Sequence, residues 1–158
     1  MPRVAFRLAR PGDAGRIALM SRELVEAGLP WSWNPARVTA HIRGRDSNVL
    51  TAWVDGRLVG FAIMQFFDEH AHLNLLAVDP AYRRVGVGRR LIGWLEATAR
   101  EGGIFSVHLE VRAENLGARA FYRALGYQET RYLPGYYNGR EAAVCMTHDL
   151  RYRRPPGA

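Results

Sequence analysis

Residues 78–88 read Val-Asp-Pro-Ala-Tyr-Arg-Arg-Val-Gly-Val-Gly and form the most informative pattern in the chain. An apolar run over residues 73–78 ends at Asp79-Pro80, and a helical pattern begins directly after the loop. Gly86 and Gly88 carry no Cβ atom, so backbone N–H groups at the start of this helix can approach an anion closely. Nearby arginines add positive charge around these amides: Arg83, Arg84, Arg89 and Arg90. The pattern therefore predicts a loop that binds a pyrophosphate.

Two exclusions narrow the type of phosphate loop. A P-loop ends in Gly-Lys-Ser/Thr, whereas all 22 Lys and Arg residues of this chain are arginine. A dinucleotide fingerprint requires a third glycine and a strand early in the chain, and the pattern meets neither condition. What remains is Arg-x-x-Gly-x-Gly over residues 83–88. An ordinary glycine turn with solvated arginines is the alternative that this short pattern leaves open.

The composition predicts one globular domain in a reducing compartment. The chain has 158 residues, of which 48% are hydrophobic and 23% are charged. Its single cysteine, Cys145, excludes an intramolecular disulfide and is expected to pack inertly in an apolar strand. No apolar run approaches the ~20 residues of a membrane helix, and the N-terminus lacks the apolar region of a signal peptide. We therefore expect a cytoplasmic protein, whose net charge of +7 would attract a polyanionic cofactor.

The hydrophobic periodicity predicts an α/β protein of order β-α-α-β-β-β-α-β-α-β-β. Strands are expected over residues 4–9, 49–54, 58–66, 71–78, 105–111, 127–133 and 140–149, and helices over residues 13–27, 35–43, 86–100 and 116–125. Asp13 is expected to cap the first helix, Asp55-Gly56 to turn a hairpin, and Pro134–Gly139 to form a loop. Strands interrupted by helices favour a mixed sheet. We expect one domain over residues 1–150 and a basic, flexible tail over residues 151–158.

Two motifs resemble those of a known family. The Arg-x-x-Gly-x-Gly pattern is similar to the acetyl-CoA loop of the GCN5-related N-acetyltransferases (GNAT). Residues 109–127, Leu-Glu-Val-Arg-Ala-Glu-Asn-Leu-Gly-Ala-Arg-Ala-Phe-Tyr-Arg-Ala-Leu-Gly-Tyr, resemble a segment of the ribosomal-protein N-terminal acetyltransferases in that family. The resemblance implies the GNAT fold, acetyl-CoA as acetyl donor, and a primary amine as acceptor.

Two weaker matches concern the acceptor. Residues 136–142, Tyr-Tyr-Asn-Gly-Arg-Glu-Ala, are similar to a hairpin of the Nα-acetyltransferases, and residues 29–32, Leu-Pro-Trp-Ser, resemble a loop between their first two helices. Both segments line the peptide groove in that family, so the resemblance implies that Trp31, Tyr136 and Tyr137 contact the acceptor. The alternative is that these aromatic side chains only cover the core.

One departure from the family pattern concerns the start of this hairpin. Ribosomal-protein members of the family often carry Arg-Arg-Asn before the two tyrosines, whereas this chain has Leu133-Pro134-Gly135. We expect proline and glycine to reshape the hairpin there. The match therefore supports protein N-termini as the acceptor class without supporting the ribosomal substrate.

The resemblance also implies which residues hold the cofactor. Main-chain groups of Leu76, Ala77 and Val78 are expected to pair with the pantetheine arm, and one of their N–H groups would stabilise the thioester oxygen. The expected cofactor residues are Leu76, Ala77, Val78, Arg83, Arg84, Val85, Gly86, Val87, Gly88, Arg89, Asn115, Ala118 and Tyr122.

Glu110 and Tyr122 are the candidate catalytic residues. Glu110 is expected to act as general base through a water, unless it is a strand carboxylate paired with an arginine. Tyr122 is expected to be the acid toward the leaving thiolate, since a phenol of pKa ~10 stays protonated at neutral pH; the alternative is a core tyrosine. His70 and His72 lack a third ligand at metal spacing, so no metal is predicted, and His108 is expected to be structural.

Three functions follow from this sequence. The first is acetyl transfer from acetyl-CoA to the α-amine of a protein or peptide N-terminus. The second is acetylation of a small-molecule amine on the same fold, distinguished by whether the aromatic loops leave an open groove. The third is a non-catalytic acyl-CoA-binding module, which the intact Glu110 and Tyr122 argue against. We expect a monomer or homodimer without a nucleic-acid or membrane partner, since the arginines are dispersed.

Overall fold

The computed structural model describes residues 3–151 and contains the elements in the order that the sequence predicted. Its strands and α-helices are β1 (Ala5–Leu8), α1 (Ala14–Leu24), α2 (Pro35–Arg43), β2 (Ser47–Val54), β3 (Arg57–Phe66), β4 (His70–Val78), α3 (Val87–Glu101), β5 (Ser106–Arg112), α4 (Leu116–Ala124), β6 (Gln128–Tyr137) and β7 (Glu141–Asp149). Short 3-10 helices cover Pro11–Asp13 and Pro80–Tyr82. Apart from Arg151, the predicted tail lies outside the described residues.

The strands form one sheet in the order β1-β2-β3-β4-β5-β7-β6. β4 and β5 pair in parallel, whereas β1–β2, β2–β3, β5–β7 and β6–β7 are antiparallel pairs. The predicted α/β class with a mixed sheet is therefore confirmed. Between residues 3 and 151, no helix is long and apolar enough to span a bilayer.

Chain contacts divide the protein into two compact units, of which the first contains Met1–Gln65 and Leu73–Leu95. Its core joins α1 and α2 to strands of the sheet through fully buried side chains that include Ile17, Val38 and Phe61. Asp55 and Gly56 have φ values of 48° and 75° and connect β2 to β3. Two successive positive φ values are what a two-residue hairpin turn requires, so the predicted hairpin is confirmed.

The first helix differs from its prediction at both ends. Asp13 occupies the N-cap position, but its carboxylate accepts hydrogen bonds from the Arg7 guanidinium and the Arg10 N–H, each at 2.8 Å, instead of capping the helix. The helix ends at Leu24, three residues before the predicted end, because the following segment folds back over the Glu26 carboxylate.

The second unit contains Phe66–His72 and Glu96–Ala158, with β5 at its centre. β5 pairs with β4 over three residue pairs, ending at His72, and with β7 along its whole length. Leu109 and its neighbours two residues away are buried, whereas His108 and Glu110 on the other face are half-buried. The predicted alternation of this strand is confirmed.

β6 extends farther than the sequence predicted. The strand was expected to end at residue 133, yet it continues to Tyr137, and only Asn138 and Gly139 form the turn. Pro134 lacks an N–H donor and is tolerated because β6 is an edge strand. Gly135 has a φ of 64°, and the pairing with β7 is irregular between Leu133 and Tyr137. The predicted loop over residues 134–139 is therefore wrong: up to Tyr137 this segment is a distorted strand.

The turn between α4 and β6 rests on a buried polar cluster. The Tyr127 hydroxyl donates to Glu96 Oε2 at 2.8 Å, and His148 Nδ1 lies 2.7 Å from the same oxygen. Gly126 has a φ of 102°, and a Cβ atom there would lie 2.8 Å from His148 Nε2. A residue with a Cβ atom would therefore have a strained backbone here and would displace the His148 ring.

Candidate active site

The loop between β4 and α3 has the backbone of an anion-binding turn. Arg84 and Gly86 have φ values of 66° and 86°, so the chain turns sharply just before the helix begins at Val87. The Arg90 N–H donates to the Gly86 carbonyl at 3.0 Å, which starts the helical hydrogen-bond pattern. First-turn N–H groups have no partner within their own helix, and these are the groups that bind anions.

The four predicted arginines of this loop are all exposed: Arg83, Arg84, Arg89 and Arg90. Two of them also contact the protein. The Arg90 guanidinium lies 4.4 Å from the centre of the Phe6 ring, and Arg83 Nε donates to the Val78 carbonyl at 3.2 Å. A Cβ atom at Gly86 would have no other heavy atom within 4 Å, so the space beside this residue is open. The loop therefore offers both room and positive charge to an anion.

The predicted pantetheine segment lies at the end of β4. Ala77 is buried, and Leu76 and Val78 are half-buried. The parallel pairing of β4 with β5 ends at His72, so it stops before Leu76. Gly60 on β3 allows close approach here, because a Cβ atom there would lie 3.1 Å from the Ala77 carbonyl oxygen.

The remaining loop residues differ in exposure. Val85 is 38% exposed, whereas Val87 and Gly88 are buried at the start of α3. Val87 therefore anchors the helix to the sheet, and its contribution to an anion site would come from its main chain.

Glu110 on β5 is the centre of a hydrogen-bonded group in the second unit. His72 Nε2 lies 2.9 Å from Oε2 and 3.1 Å from Oε1 of the carboxylate. The Tyr136 hydroxyl donates to Oε1 at 3.0 Å. Because an ionised carboxylate can only accept, His72 Nε2 carries a hydrogen in this pair. The structure thus joins the predicted base to one of the predicted acceptor residues, and it pairs Glu110 with a histidine rather than an arginine.

This hydrogen bonding keeps Glu110 ionised. The hydrogen bond from His72 is the main cause that lowers the pKa of the Glu110 carboxyl, while burial opposes the shift and the Tyr136 hydroxyl assists it. In return, burial and the bond to Glu110 raise the pKa of Tyr136 to about 12. Glu110 is therefore an anion at neutral pH, and Tyr136 is a neutral hydrogen-bond donor.

Two further residues near Glu110, His108 and Cys145, are uncharged at neutral pH. His108 lies between two hydroxyls, with Nε2 2.9 Å from Ser106 Oγ and Nδ1 3.0 Å from Thr147 Oγ1. Burial, followed by the neighbouring histidines, lowers the pKa of His108. Cys145 pairs with Glu110 across β5 and β7, and burial and the Glu110 charge raise the pKa of its thiol. The thiol is therefore a poor nucleophile at neutral pH.

Tyr137 follows Tyr136 at the end of β6. The two rings meet edge to face, with their centres 4.9 Å apart. The Arg112 guanidinium lies 5.9 Å from the centre of the Tyr137 ring, and burial raises the pKa of Tyr137. The second tyrosine therefore supports the position of the first.

Tyr122 on α4 is buried, with only 8% of its surface exposed. Its ring meets those of Phe121 and Tyr127 at centre distances of 5.2 and 5.6 Å. Burial raises the pKa of Tyr122 above its ordinary value, so the hydroxyl keeps its proton at neutral pH. The hydroxyl can therefore donate a hydrogen bond, but its raised pKa makes it a weaker proton donor than an ordinary tyrosine.

Asn115 has a structural role at the start of α4. Its side-chain oxygen accepts the Ala118 N–H at 3.1 Å and so caps the helix. Because the side-chain oxygen of Asn115 is used by the cap, the predicted contact with the cofactor would have to come from the side-chain amide nitrogen. Ala118 is half-buried in the first turn.

Trp31 lies in the loop between α1 and α2 and is 39% exposed. Its indole N–H donates to the Ala18 carbonyl at 3.2 Å, and the Arg22 guanidinium lies 5.2 Å from the ring centre. The ring is therefore fixed on one side while part of it remains open to solvent.

Comparison with known proteins gives the family. The model of the acetyltransferase (GNAT) family matches residues 19–127, which is more than half of the 158 residues. The chain belongs to the GNAT family. The GNAT resemblance of the two motifs is thereby confirmed.

Relatives of this GNAT protein include two bacterial enzymes. The ribosomal protein bS18-alanine N-acetyltransferase of Escherichia coli strain K12 is 40% identical over 95 residues, which cover 58% of this chain and 64% of that enzyme. The match thus spans less than two thirds of that relative. The N-alpha-acetyltransferase RimI of Mycobacterium tuberculosis strain H37Rv is 35% identical over 142 residues and 87% of each chain.

A crystal structure of the ribosomal-protein-S18-alanine N-acetyltransferase from Escherichia coli superposes with a TM-score of 0.82 at 27% identity, over 99% of both chains. The predicted GNAT fold is confirmed by this likeness.

Two features of this GNAT protein were not predicted. His72 was considered only as a metal ligand, whereas the structure pairs it with Glu110. The contact between His72 and Glu110 depends on the register in which β4 pairs with β5, and no pattern in the sequence predicts that register. The second is the buried Glu26, whose only sequence signal is an acidic residue directly after a helix and before Gly28-Leu29-Pro30.

Proposed function

We propose that this protein transfers an acetyl group from acetyl-CoA to the α-amine of a protein or peptide N-terminus. One observation carries this proposal: the Tyr136 hydroxyl donates to Glu110 at 3.0 Å. This contact brings the candidate base into the same site as the hairpin that resembles the acceptor hairpin of Nα-acetyltransferases. The names of the bacterial relatives point to the same acceptor class.

The loop before α3 fits the cofactor. The backbone at Gly86, with its φ of 86° and open space, leaves room for a pyrophosphate at the helix N-terminus. The exposed Arg83, Arg84 and Arg89 would balance its charge. Bound acetyl-CoA would supply an acetyl group activated as a thioester. The other residues proposed to hold it are Leu76, Ala77, Val78, Val85, Val87, Gly88, Asn115, Ala118 and Tyr122.

His72 and Glu110 would together remove the proton from the amine. An α-amine has a pKa near ~8, so only a modest base is needed at neutral pH. The hydrogen bonds from His72 and Tyr136 lower the pKa of Glu110 and keep its carboxylate ionised, so it can accept a proton at neutral pH. The proton would pass from the amine through a water to this carboxylate, while the His72 Nε2–H holds the carboxylate in place.

Tyr122 is the proposed acid. Its buried hydroxyl holds its proton at neutral pH, because burial raises its pKa. The neutral phenol would stabilise the departing thiolate by donating a hydrogen bond to it, and would pass on its proton only as negative charge develops on the sulfur. We further propose a cytoplasmic location, supported by the single cysteine of the chain.

The experiment that tests this function measures acetyl-CoA consumption with a panel of acceptors. The panel contains peptides with different N-terminal residues, N-blocked peptides that contain lysine, and simple amines. We expect turnover with free peptide N-termini alone. Turnover restricted to simple amines would retain the cofactor and chemistry but reject the protein acceptor, and absence of turnover with every acceptor would reject the acetyltransferase activity.

A further inference from the structure

We propose that Glu26 is a positioning residue that fixes the loop carrying Trp31 and thereby sets the affinity for a peptide acceptor. The inference rests on the function proposed above, because it assumes that Trp31 contacts the acceptor. Glu26 itself lies beneath the loop, only 7% exposed, and would touch neither acceptor nor cofactor.

The Glu26 carboxylate binds both sides of a short loop. Oε1 accepts the Ser32 N–H and hydroxyl, each at 2.8 Å, and the Trp33 N–H at 3.2 Å. Oε2 accepts the Ser21 hydroxyl at 2.9 Å, which ties the same carboxylate to α1. One side chain therefore holds the two residues that follow Trp31 against the helix before it.

The carboxylate is ionised although it is buried. Burial acts to raise the pKa of Glu26, but the hydrogen bonds from Ser32, Ser21 and Trp33 outweigh it and hold that pKa below its usual range. Among residues 3–151 Glu26 has no ion-pair partner, so neutral N–H and O–H groups alone balance its charge. A buried charge is costly unless it is well hydrogen-bonded. The loop is therefore bound to this carboxylate by charge-assisted hydrogen bonds, which are stronger than neutral ones.

The loop is anchored again on either side of its exposed ring. Trp33 is 7% exposed, and the Arg37 guanidinium lies 3.8 Å from the centre of its ring. The Trp31 indole N–H is bonded to the Ala18 carbonyl. Trp31 is thus a partly exposed aromatic residue on a segment that is already ordered. Preorganised contacts bind a ligand without the entropic cost of ordering the protein.

This arrangement predicts a selective effect on the acceptor. If the loop loosens, a peptide that uses Trp31 must order it on binding, which raises the KM for the peptide. A small amine that does not reach Trp31 should keep its KM, and acetyl-CoA should keep its Kd. A general loss of stability would instead lower the amount of active enzyme for both acceptors equally.

The test compares Glu26→Ala and Glu26→Gln with a matched control, Glu23→Gln, on the exposed side of α1. We measure KM and kcat for a peptide and for a small primary amine, the Kd of acetyl-CoA, and hydrogen exchange of the Ser32 and Trp33 amides. For Glu26→Ala we expect the peptide KM to rise about tenfold or more, as loss of charged hydrogen bonds would produce. Glu26→Gln should recover part of the loss, since its amide oxygen still accepts from the loop while its nitrogen donates to Ser21. Glu23→Gln should match the wild type.

The outcomes separate this inference from the proposed function. An unchanged peptide KM in both Glu26 variants overturns the inference, even if the Ser32 and Trp33 amides exchange faster. If the wild-type protein acetylates only small amines, the protein-acceptor function fails. The assumption that Trp31 contacts a peptide then fails as well, so this result overturns both proposals, whereas an unchanged peptide KM in an enzyme that acetylates peptides overturns this inference alone.

Discussion

Replacing Gly126 with alanine should destabilise the protein strongly, for two separable reasons. The φ of 102° at this position is unfavourable for any residue with a Cβ atom and costs roughly 1–2 kcal/mol. The new Cβ atom would also lie 2.8 Å from His148 Nε2, so the histidine has to move. Movement breaks the 2.7 Å contact between His148 and the buried Glu96, which costs roughly 1.5–3 kcal/mol.

These contributions sum to roughly 2.5–5 kcal/mol in the free energy of unfolding. For a protein of this size that loss lowers Tm by about 5–20 °C. The assay is thermal and urea unfolding followed by circular dichroism. Gly56→Ala isolates the backbone cost, because its φ is 75° with no atom within 4 Å, and Gly12→Ala controls for the substitution alone.

A double-mutant cycle isolates the contact. In a His148→Ala background the added cost of Gly126→Ala should fall to the backbone cost seen at Gly56. If Gly126→Ala is no more destabilising than Gly56→Ala in the wild-type background, the contact with His148 does not explain this glycine.

Four further changes test the site. Gly86→Glu should abolish acetyl-CoA binding by isothermal titration calorimetry, because a carboxylate would occupy the anion loop; unchanged affinity would contradict the loop's role. Glu110→Gln should lower kcat/KM on the order of a hundredfold, most at low pH, and leave the Kd of acetyl-CoA unchanged. The same variant should also lose less stability in acid than the wild type. In the wild type the pKa of Glu110 is lowered in the folded state, so ionised Glu110 adds to the free energy of unfolding above the usual carboxyl pKa. This contribution is lost as the pH falls through the pKa of Glu110 in the folded state. An unaltered rate would remove Glu110 from the reaction, and an unaltered acid profile would mean that the His72 contact does not lower the pKa. Tyr136→Phe should raise the Glu110 pKa, read by NMR titration, and a constant value would mean that the hydrogen bond is absent in solution. Tyr122→Phe should reduce kcat with little change in Tm, whereas full activity would leave this tyrosine a packing role only.

The sequence predicted local structure well because periodicity and turn residues act locally. Asp55-Gly56 placed the first hairpin, and the glycines after β4 placed the start of α3 to within one residue. Pro134 misled the prediction of β6, since proline suggests a strand end but an edge strand tolerates it.

Glu110 and Tyr136 are predicted site residues from different strands that meet in the structure, but their partner His72 was missed. The His72–Glu110 pair depends on the register of two parallel strands that are distant in sequence. Glu26 was missed for a similar reason, because its hydrogen bonds to Ser32 and Trp33 depend on how the loop folds back. Hydrophobic periodicity indicates which face of a helix or strand a residue occupies. It does not indicate which residue from another element that side chain contacts.

The distorted end of β6 also bears on self-association. An edge strand exposes N–H and C=O groups that could pair with another copy of the chain and begin aggregation. Here the edge carries Pro134, a left-handed Gly135 and two register irregularities, and the opposite edge, β1, is only four residues long. Neither edge offers a long, regular strand to a second sheet. The residues that distort the end of β6 therefore make pairing of this edge with a second copy of the chain less favourable.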